Sequence, residues 1–263
     1  MKLAHILPIQ ATIDGFTPTE QNVHLTLANL VLKHDSYARW FEDKVNDGET
    51  VILDCPVHEY EQIDAADWIN AVRLIRPTVA VLPDVIESAA RTIQRADYAM
   101  RQAKDVGLDC AFMGVPHGND DIEYVGNAIR LRNLGATWFG ISLERRLLND
   151  KLAYLVREKR LRLLVQNPHF EGCRFHFLGI SERAMEFVNP FIQKHVYSAD
   201  ASKFALWNLV GNEPYPPAPL STPYPGRAIL GGSMEYFDYE GYVSEEMTMY
   251  LSTWTKYAEE GAL

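Results

Sequence analysis

Apolar residues fall along the chain in two alternating rhythms. Short β-branched or aromatic runs predict strands at Leu3–Pro8, Val51–Asp54, Thr78–Pro83, Cys110–Val115, Thr137–Ile141, Arg174–Gly179 and Val196–Asp200, with a weaker one at Arg227–Leu230. Between them, longer stretches repeat apolar residues at helical spacing, as Ile93, Ala96, Met100 and Ala103 do. These predict helices over Asp64–Arg76, Glu87–Val106, Asp120–Leu134, Glu144–Arg160 and Ser181–His195. Strand and helix alternating this often predict a parallel sheet, and strands written as unbroken apolar runs predict burial on both faces. Up to eight such units in about 250 residues is the size of a (β/α)8 barrel. The rival is a doubly wound open sheet; bound to a nucleotide it would carry a glycine-rich phosphate turn, and neither GxGxxG nor GxxxxGK[ST] occurs.

Two regions break the rhythm. Residues 10–50 read as an N-terminal helical insertion, with helices over Thr19–Lys33 and near Tyr37–Val45. Residues 214–226 hold six prolines, which lack the N–H a ladder needs, so an extended surface loop is expected there. A terminal helix is expected over Ser244–Glu259. There is no internal repeat, and a single domain over residues 1–263 is expected.

Composition narrows the class. Of 263 residues, 47% are apolar and 23% charged, which suits a folded globular chain and excludes disorder, collagen and coiled coil. No apolar run approaches the roughly 18–20 residues of a membrane helix, and the first residues lack the apolar core of a secretory signal, so a cytoplasmic location is expected. Cys55, Cys110 and Cys173 are too scattered for a disulfide framework or a CxxC zinc knuckle. The net charge of −10 argues against general electrostatic attraction to nucleic acid, though not against a local basic face.

In such a barrel the chemistry lies at the C-terminal ends of the strands. Reading outward from each predicted strand gives Asp54, Asp84, His117 with Gly118, Ser142, Gly179 with Ser181, and Asp200. An Asp after a strand often caps the next helix, an objection strongest for Asp84. Three carboxylates around one mouth are harder to assign to caps. Two carboxylates flanking an anomeric carbon are equipment for retaining glycosyl transfer, and a third, acceptor-only, reads the donor edge of a purine.

The ordered series ILDCP, LPDVI, GVPHG, FGIS, HFLGIS and VYSADAS, spread over roughly residues 48–208, resembles the queuine/archaeosine tRNA-guanine transglycosylases. It is most similar to their compact phage and bacterial relatives, which insert 7-deazaguanine bases into DNA. The resemblance implies that Asp200 attacks C1′ and expels guanine, with Asp54 as general acid/base. It implies that Asp84 and His117 read the base, that Gly118, Gly140 and Ser142 line its pocket, and that Leu178 and Gly179 lie against one face, with Val57 or Tyr60 against the other. The implied partners are DNA, more than tRNA, and a free preQ0-type base, in the cytoplasm of a phage-infected or bacterial cell, as a homodimer or with a partner protein. No cofactor and no metal are implied. The chain lacks the family's CxCxxC…H zinc subdomain, which shifts the expected substrate from tRNA to DNA, and it has His117 where the family usually has Gln.

Other readings stay open at this point. The alternatives are the same exchange on tRNA, a non-catalytic barrel subunit that binds nucleic acid or a partner chain, and a metal-dependent hydrolase that recruits His58, Asp54 and Asp84. His169, Cys173 and His176 have spacings that permit metal ligation, but His176 alternates with Phe175 in a predicted strand, and a barrel-packing or loop role is the favoured reading. The segment Glu144–Arg162 carries seven basic residues against three acids. Arg145 and Arg146, nearest the predicted mouth, are candidates to contact phosphate; the alternative is a solvated helix face. The run MEYFDYEGY offers base stacking or, more readily, a protein-facing surface.

Overall fold

The computed structural model describes residues 1–15, 21–55, 63–86, 88–142, 153–179, 185–201 and 245–260. Eight parallel strands follow one another in chain order: β1 (Lys2–His5), β2 (Val23–Leu27), β3 (Thr50–Asp54), β4 (Val79–Val81), β5 (Ala111–Gly114), β6 (Trp138–Ser142), β7 (Arg174–Leu178) and β8 (Ser198–Ala201). The sheet runs β1-β8-β7-β6-β5-β4-β3-β2, and its two end strands, β1 and β2, lie in contact. The fold is the expected α/β (β/α)8 barrel.

The helices are α1 (Ile9–Ile13), α2 (Ala28–Lys33), α3 (Asp35–Asn46), α4 (Ala65–Ile75), α5 (Ala89–Asp105), α6 (Asp121–Leu134), α7 (Ala153–Val165), α8 (Met185–Val188), α9 (Pro190–His195) and α10 (Glu245–Glu260). Local chemistry sets several boundaries. Asp64 and Asp120 cap α4 and α6 by accepting from the backbone N–H of Asp67 and Glu123, each at 2.8 Å. Gly135, at φ +119°, ends α6 in the left-handed conformation. Asn189 caps α9 ahead of Pro190. None of the helices among the described residues is long and apolar enough to cross a membrane.

The N-terminal reading needs correction. Residues 19–33 were expected to be one helix, but Val23–Leu27 is strand β2, paired along its whole length with β3, and only Ala28–Lys33 is helical. All five β2 residues are buried, so the region supplies a barrel strand rather than an insertion. The expected helix over Ser181–His195 is two short helices within the described residues. The weak strand at Arg227–Leu230 and the proline-rich loop lie outside the described residues.

Strand register shows which side chains fill the barrel. Side chains alternate across a strand, so residues opposite one another share a face. Ala4 is opposite Asp200, Ser198 is opposite His176, and His176 is opposite Gly140. A Cβ on Gly140 would meet Leu178 Cδ1 at 2.9 Å, Met113 Sδ at 3.1 Å and Val115 Cγ2 at 3.2 Å, which puts these groups in the barrel interior. Met113 is opposite Val81, Val79 is opposite Ile52, and Asp54 lies two residues beyond Ile52 on the same face. The other parity faces the helices: His5 Nε2 donates to the Leu251 carbonyl and the Thr255 hydroxyl of α10, at 3.1 and 3.0 Å. Complete burial pushes the His5 imidazole down to about 3.

At the other end of the barrel, Gln21, His24, Glu49 and Lys44 form a partly buried network. Burial holds His24 below its ordinary value despite its bond to Glu49. Burial opposes ionisation of Glu49, but hydrogen bonds from His24 and Lys44 outweigh it and hold the carboxyl below its usual range. This end of a barrel serves stability rather than chemistry.

Candidate active site

Asp54, Asp84, His117, Ser142, Leu178, Gly179 and Asp200 all stand at or just beyond the C-terminal ends of β3 to β8. Asp54 ends β3, half-buried, and its carboxylate accepts from the following Cys55 N–H at 2.8 Å. Asp84 lies three residues beyond β4, and His117 three beyond β5. These strands are neighbours, and His117 Nε2 sits 2.6 Å from Asp84 Oδ2. The capping objection to Asp84 fails among the described residues: its carboxylate takes the imidazole N–H, and Ser88, which precedes α5, makes no side-chain cap.

His117 is fixed from behind. Its backbone N–H donates to Asn127 Oδ1 at 3.0 Å, and Asn127 Nδ2 donates to the Ala89 carbonyl at 2.9 Å, tying this loop to α5 and α6. The His117 side chain keeps 12% of its surface exposed against 5% for Asp84, so the imidazole is the part of the couple open to a ligand. Gly118 has no room for a side chain: a Cβ there would lie 2.3 Å from Tyr124 N and 2.6 Å from Tyr124 Cα, backbone that cannot turn aside. Gly118→Ala is expected to destabilise the fold by about 2–4 kcal/mol, read by urea unfolding, because the loop must move away from α6. Stability within about 0.5 kcal/mol of wild type would show that the loop yields without penalty.

A second couple lies deeper. His176 and Ser198 are fully buried. In the neutral ring, His176 Nε2–H donates to Asp200 Oδ1 at 2.9 Å and Nδ1 accepts from the Ser198 hydroxyl at 2.8 Å. The order Ser–His–Asp resembles a hydrolase triad in composition only. The serine is the buried end, with no access for an acyl group, and the carboxylate is the end toward the mouth. Gly179 N–H lies 3.0 Å from both Asp200 oxygens.

Residues of α7 that looked like a phosphate-facing stretch turn inward or pair locally. Arg157 is fully buried, lies 3.6 Å from the buried Glu186, and donates to the Leu178 and Gly179 carbonyls. Arg160 donates to the Gly118 carbonyl at 3.1 Å and stacks over Tyr124. Lys159 pairs with Asp121, and Arg162 pairs with Glu158 and covers Phe191. Arg145 and Arg146, Val57 and Tyr60, His58, and the MEYFDYEGY run lie outside the described residues.

His169, Cys173 and His176 are not brought together as a metal site. His176 points into the barrel, whereas His169 is exposed in a 3₁₀ turn ahead of β7, bonded to Asn167. Among the described residues no three His, Cys, Asp or Glu are placed to hold a metal. Cys55 is buried, and burial first, then the charges of Asp54 and Asp84, push its thiol well above the usual range, so it stays protonated and is no nucleophile. Sequence reasoning missed Asn127, Arg157, Arg160 and Glu186, and weighed His176 as a packing residue or a metal ligand without finding its bond to Asp200. A His between Phe175 and Phe177 on a barrel strand was the available signal.

No protein-family profile matches the chain, and no curated protein matches it. Among solved structures, the fold is similar to 2,3-dimethylmalate lyase, a member of the PEP mutase/isocitrate lyase superfamily. The TM-score is 0.50 at 11% identity, covering 80% of this chain and 76% of that one, a likeness of fold. This overturns the transglycosylase resemblance: the structural match is to a lyase-superfamily barrel rather than a guanine transglycosylase. Guanine exchange, DNA or tRNA modification, the 7-deazaguanine substrate, the phage assignment and the glycosyl-bearing role of Asp200 are withdrawn with it. The physical reason for the misreading is that an acid, a glycine or a serine after an apolar run is what many barrels place at their strand ends, whatever the chemistry.

Proposed function

We propose that the chain is a barrel enzyme that moves protons on a small polar substrate at its C-terminal mouth, in a lyase-type reaction. His117 carries the proton, Asp84 orients it, and Asp54 and Asp200 are acidic groups at the same mouth. One observation carries this reading: His117 Nε2 donates to Asp84 Oδ2 at 2.6 Å, on adjacent strand ends, with the imidazole the more exposed partner. Holding Nε2–H on a carboxylate leaves Nδ1 as the basic nitrogen. When Nδ1 takes a proton from the substrate, Asp84 stabilises the imidazolium. In a lyase step, the electron pair left behind by the abstracted proton forms the new double bond, the pair of the cleaved bond leaves with the departing fragment, and that fragment takes a proton. One base that can return its proton serves both halves. The name of the structural neighbour, a lyase, is of the same reaction class.

The test is incubation in deuterated water with a panel of hydroxy- and keto-acids, followed by proton NMR for bond cleavage or deuterium uptake. The wild type is expected to turn over at least one of them, and His117→Ala to lower the rate by about 10²–10⁴-fold. Asp84→Asn is expected to lower it as well, since the amide no longer stabilises the imidazolium. Undiminished turnover in His117→Ala, or no reaction by wild type across the panel, would reject the proposal.

A further inference from the structure

We infer that Arg157 is a positioning residue for the Asp200 carboxylate, acting through the single peptide unit that joins Leu178 to Gly179. The inference deepens the proposed function and rests on its reading of the mouth, whereas its test reads hydrogen bonds and not turnover. A peptide unit is planar, with its C=O and N–H on opposite edges. The oxygen of this unit belongs to Leu178 and accepts from Arg157 Nη2 at 2.9 Å. Its N–H belongs to Gly179 and lies 3.0 Å from both oxygens of Asp200. One rigid plate therefore has a guanidinium on one edge and the carboxylate on the other.

The surroundings leave the plate few alternatives. Arg157 also donates to the Gly179 carbonyl, so it grips two successive carbonyls in the forked manner only a guanidinium can. Gly179 is at φ +68°, the left-handed turn that lets the chain present both carbonyls to one side. The guanidinium lies 4.9 Å from the centre of the Phe177 ring and 3.6 Å from Glu186, itself fully buried. A cation on the carbonyl edge also polarises the unit and strengthens its N–H as a donor. Asp200 is thus held from two sides, by His176 within the barrel and by the Gly179 N–H at its rim. Without Arg157 the plate is free to rotate, and among the described residues Asp200 keeps the hydrogen bond from His176.

The experiment is ¹H–¹⁵N NMR on the full chain, comparing wild type with Arg157→Met and Arg157→Lys. In Arg157→Met the Gly179 amide proton is expected to move upfield and to exchange with solvent at least tenfold faster, while the amides of the preceding strand β7 stay put. The His176 ring nitrogens should shift in the same variant, because their acceptor has moved. Arg157→Lys, which keeps the charge but only a single donor group, should fall between. If Arg157→Met does not fold, Arg157→Lys decides the matter, since it too must perturb the Gly179 amide. An unchanged Gly179 amide and His176 ring in a folded Arg157 variant would overturn the inference and leave Arg157 as packing alone. Loss of these signals together with full turnover would instead count against the proposed role of the mouth.

Discussion

Lowering the pH from 6.5 toward 3 is expected to unfold this protein progressively, with His5 among the main causes. Its imidazole is completely buried between β1 and α10, and burial brings its pKa from 6.5 down to about 3. Below pH 6.5 the unfolded chain binds a proton at His5 that the folded chain refuses. Protons therefore favour the unfolded state throughout the window between these two values, and stability rises with pH across it. The loss is about 1.4 kcal/mol for each pH unit, so roughly 2 kcal/mol is gone by pH 5. His24 is shifted in the same direction by its own burial and adds to the slope. His5→Gln isolates the first contribution, because the amide keeps an N–H for the Leu251 carbonyl and Thr255 hydroxyl but does not titrate. Urea unfolding of wild type and His5→Gln at a series of pH values should give profiles that converge as the pH falls. Parallel profiles would mean that His5 takes up its proton without breaking its contact with α10.

The same helix-facing position shows how far the sequence could be read. Strand β1 was legible as a short apolar run, but nothing in the run told that His5 faces outward to a helix about 250 residues later. Strand β2 was hidden for a different reason. Val23, Leu25 and Leu27 alternate as a half-buried strand should, yet Leu30 and Val31 follow at once on α2, and the two rhythms joined read as one helix. No glycine or proline separates them. At the site, carboxylates and histidines after apolar runs were readable because barrel geometry sends every strand end to one mouth. The partners were not. Asp84 with His117 is a pairing across neighbouring strands, and Arg157 with Glu186 joins two segments that sequence spacing does not relate. The seven basic residues over 144–162 looked like a surface feature because charged residues are almost never buried unless paired, and the pair is invisible from one chain segment. The transglycosylase resemblance arose from the same blindness: strand ends gave the residue types in order, while their meaning depends on what each one touches.

That buried pair carries the other large expectation. Glu186→Leu is expected to destabilise the fold by about 3–5 kcal/mol, because Arg157 would remain buried with its nearest counter-charge removed. Burial alone already draws the Arg157 guanidinium below its ordinary value, and Glu186 is the largest influence opposing this, ahead of Asp200. The Leu178 and Gly179 carbonyls satisfy N–H groups of the guanidinium but supply no full negative charge. Taking both charges away at once is a different perturbation. The double variant Arg157→Met, Glu186→Leu leaves neither ion stranded and fills the same space with apolar atoms, so it should recover at least half of the loss. Urea unfolding of the two single variants and the double closes the cycle, and the coupling should exceed about 1 kcal/mol. Additive losses would show that water reaches Arg157 once Glu186 is gone. The double variant also separates folding from positioning: it should be stable while its Gly179 amide still behaves as in Arg157→Met, because Met offers nothing to the Leu178 carbonyl.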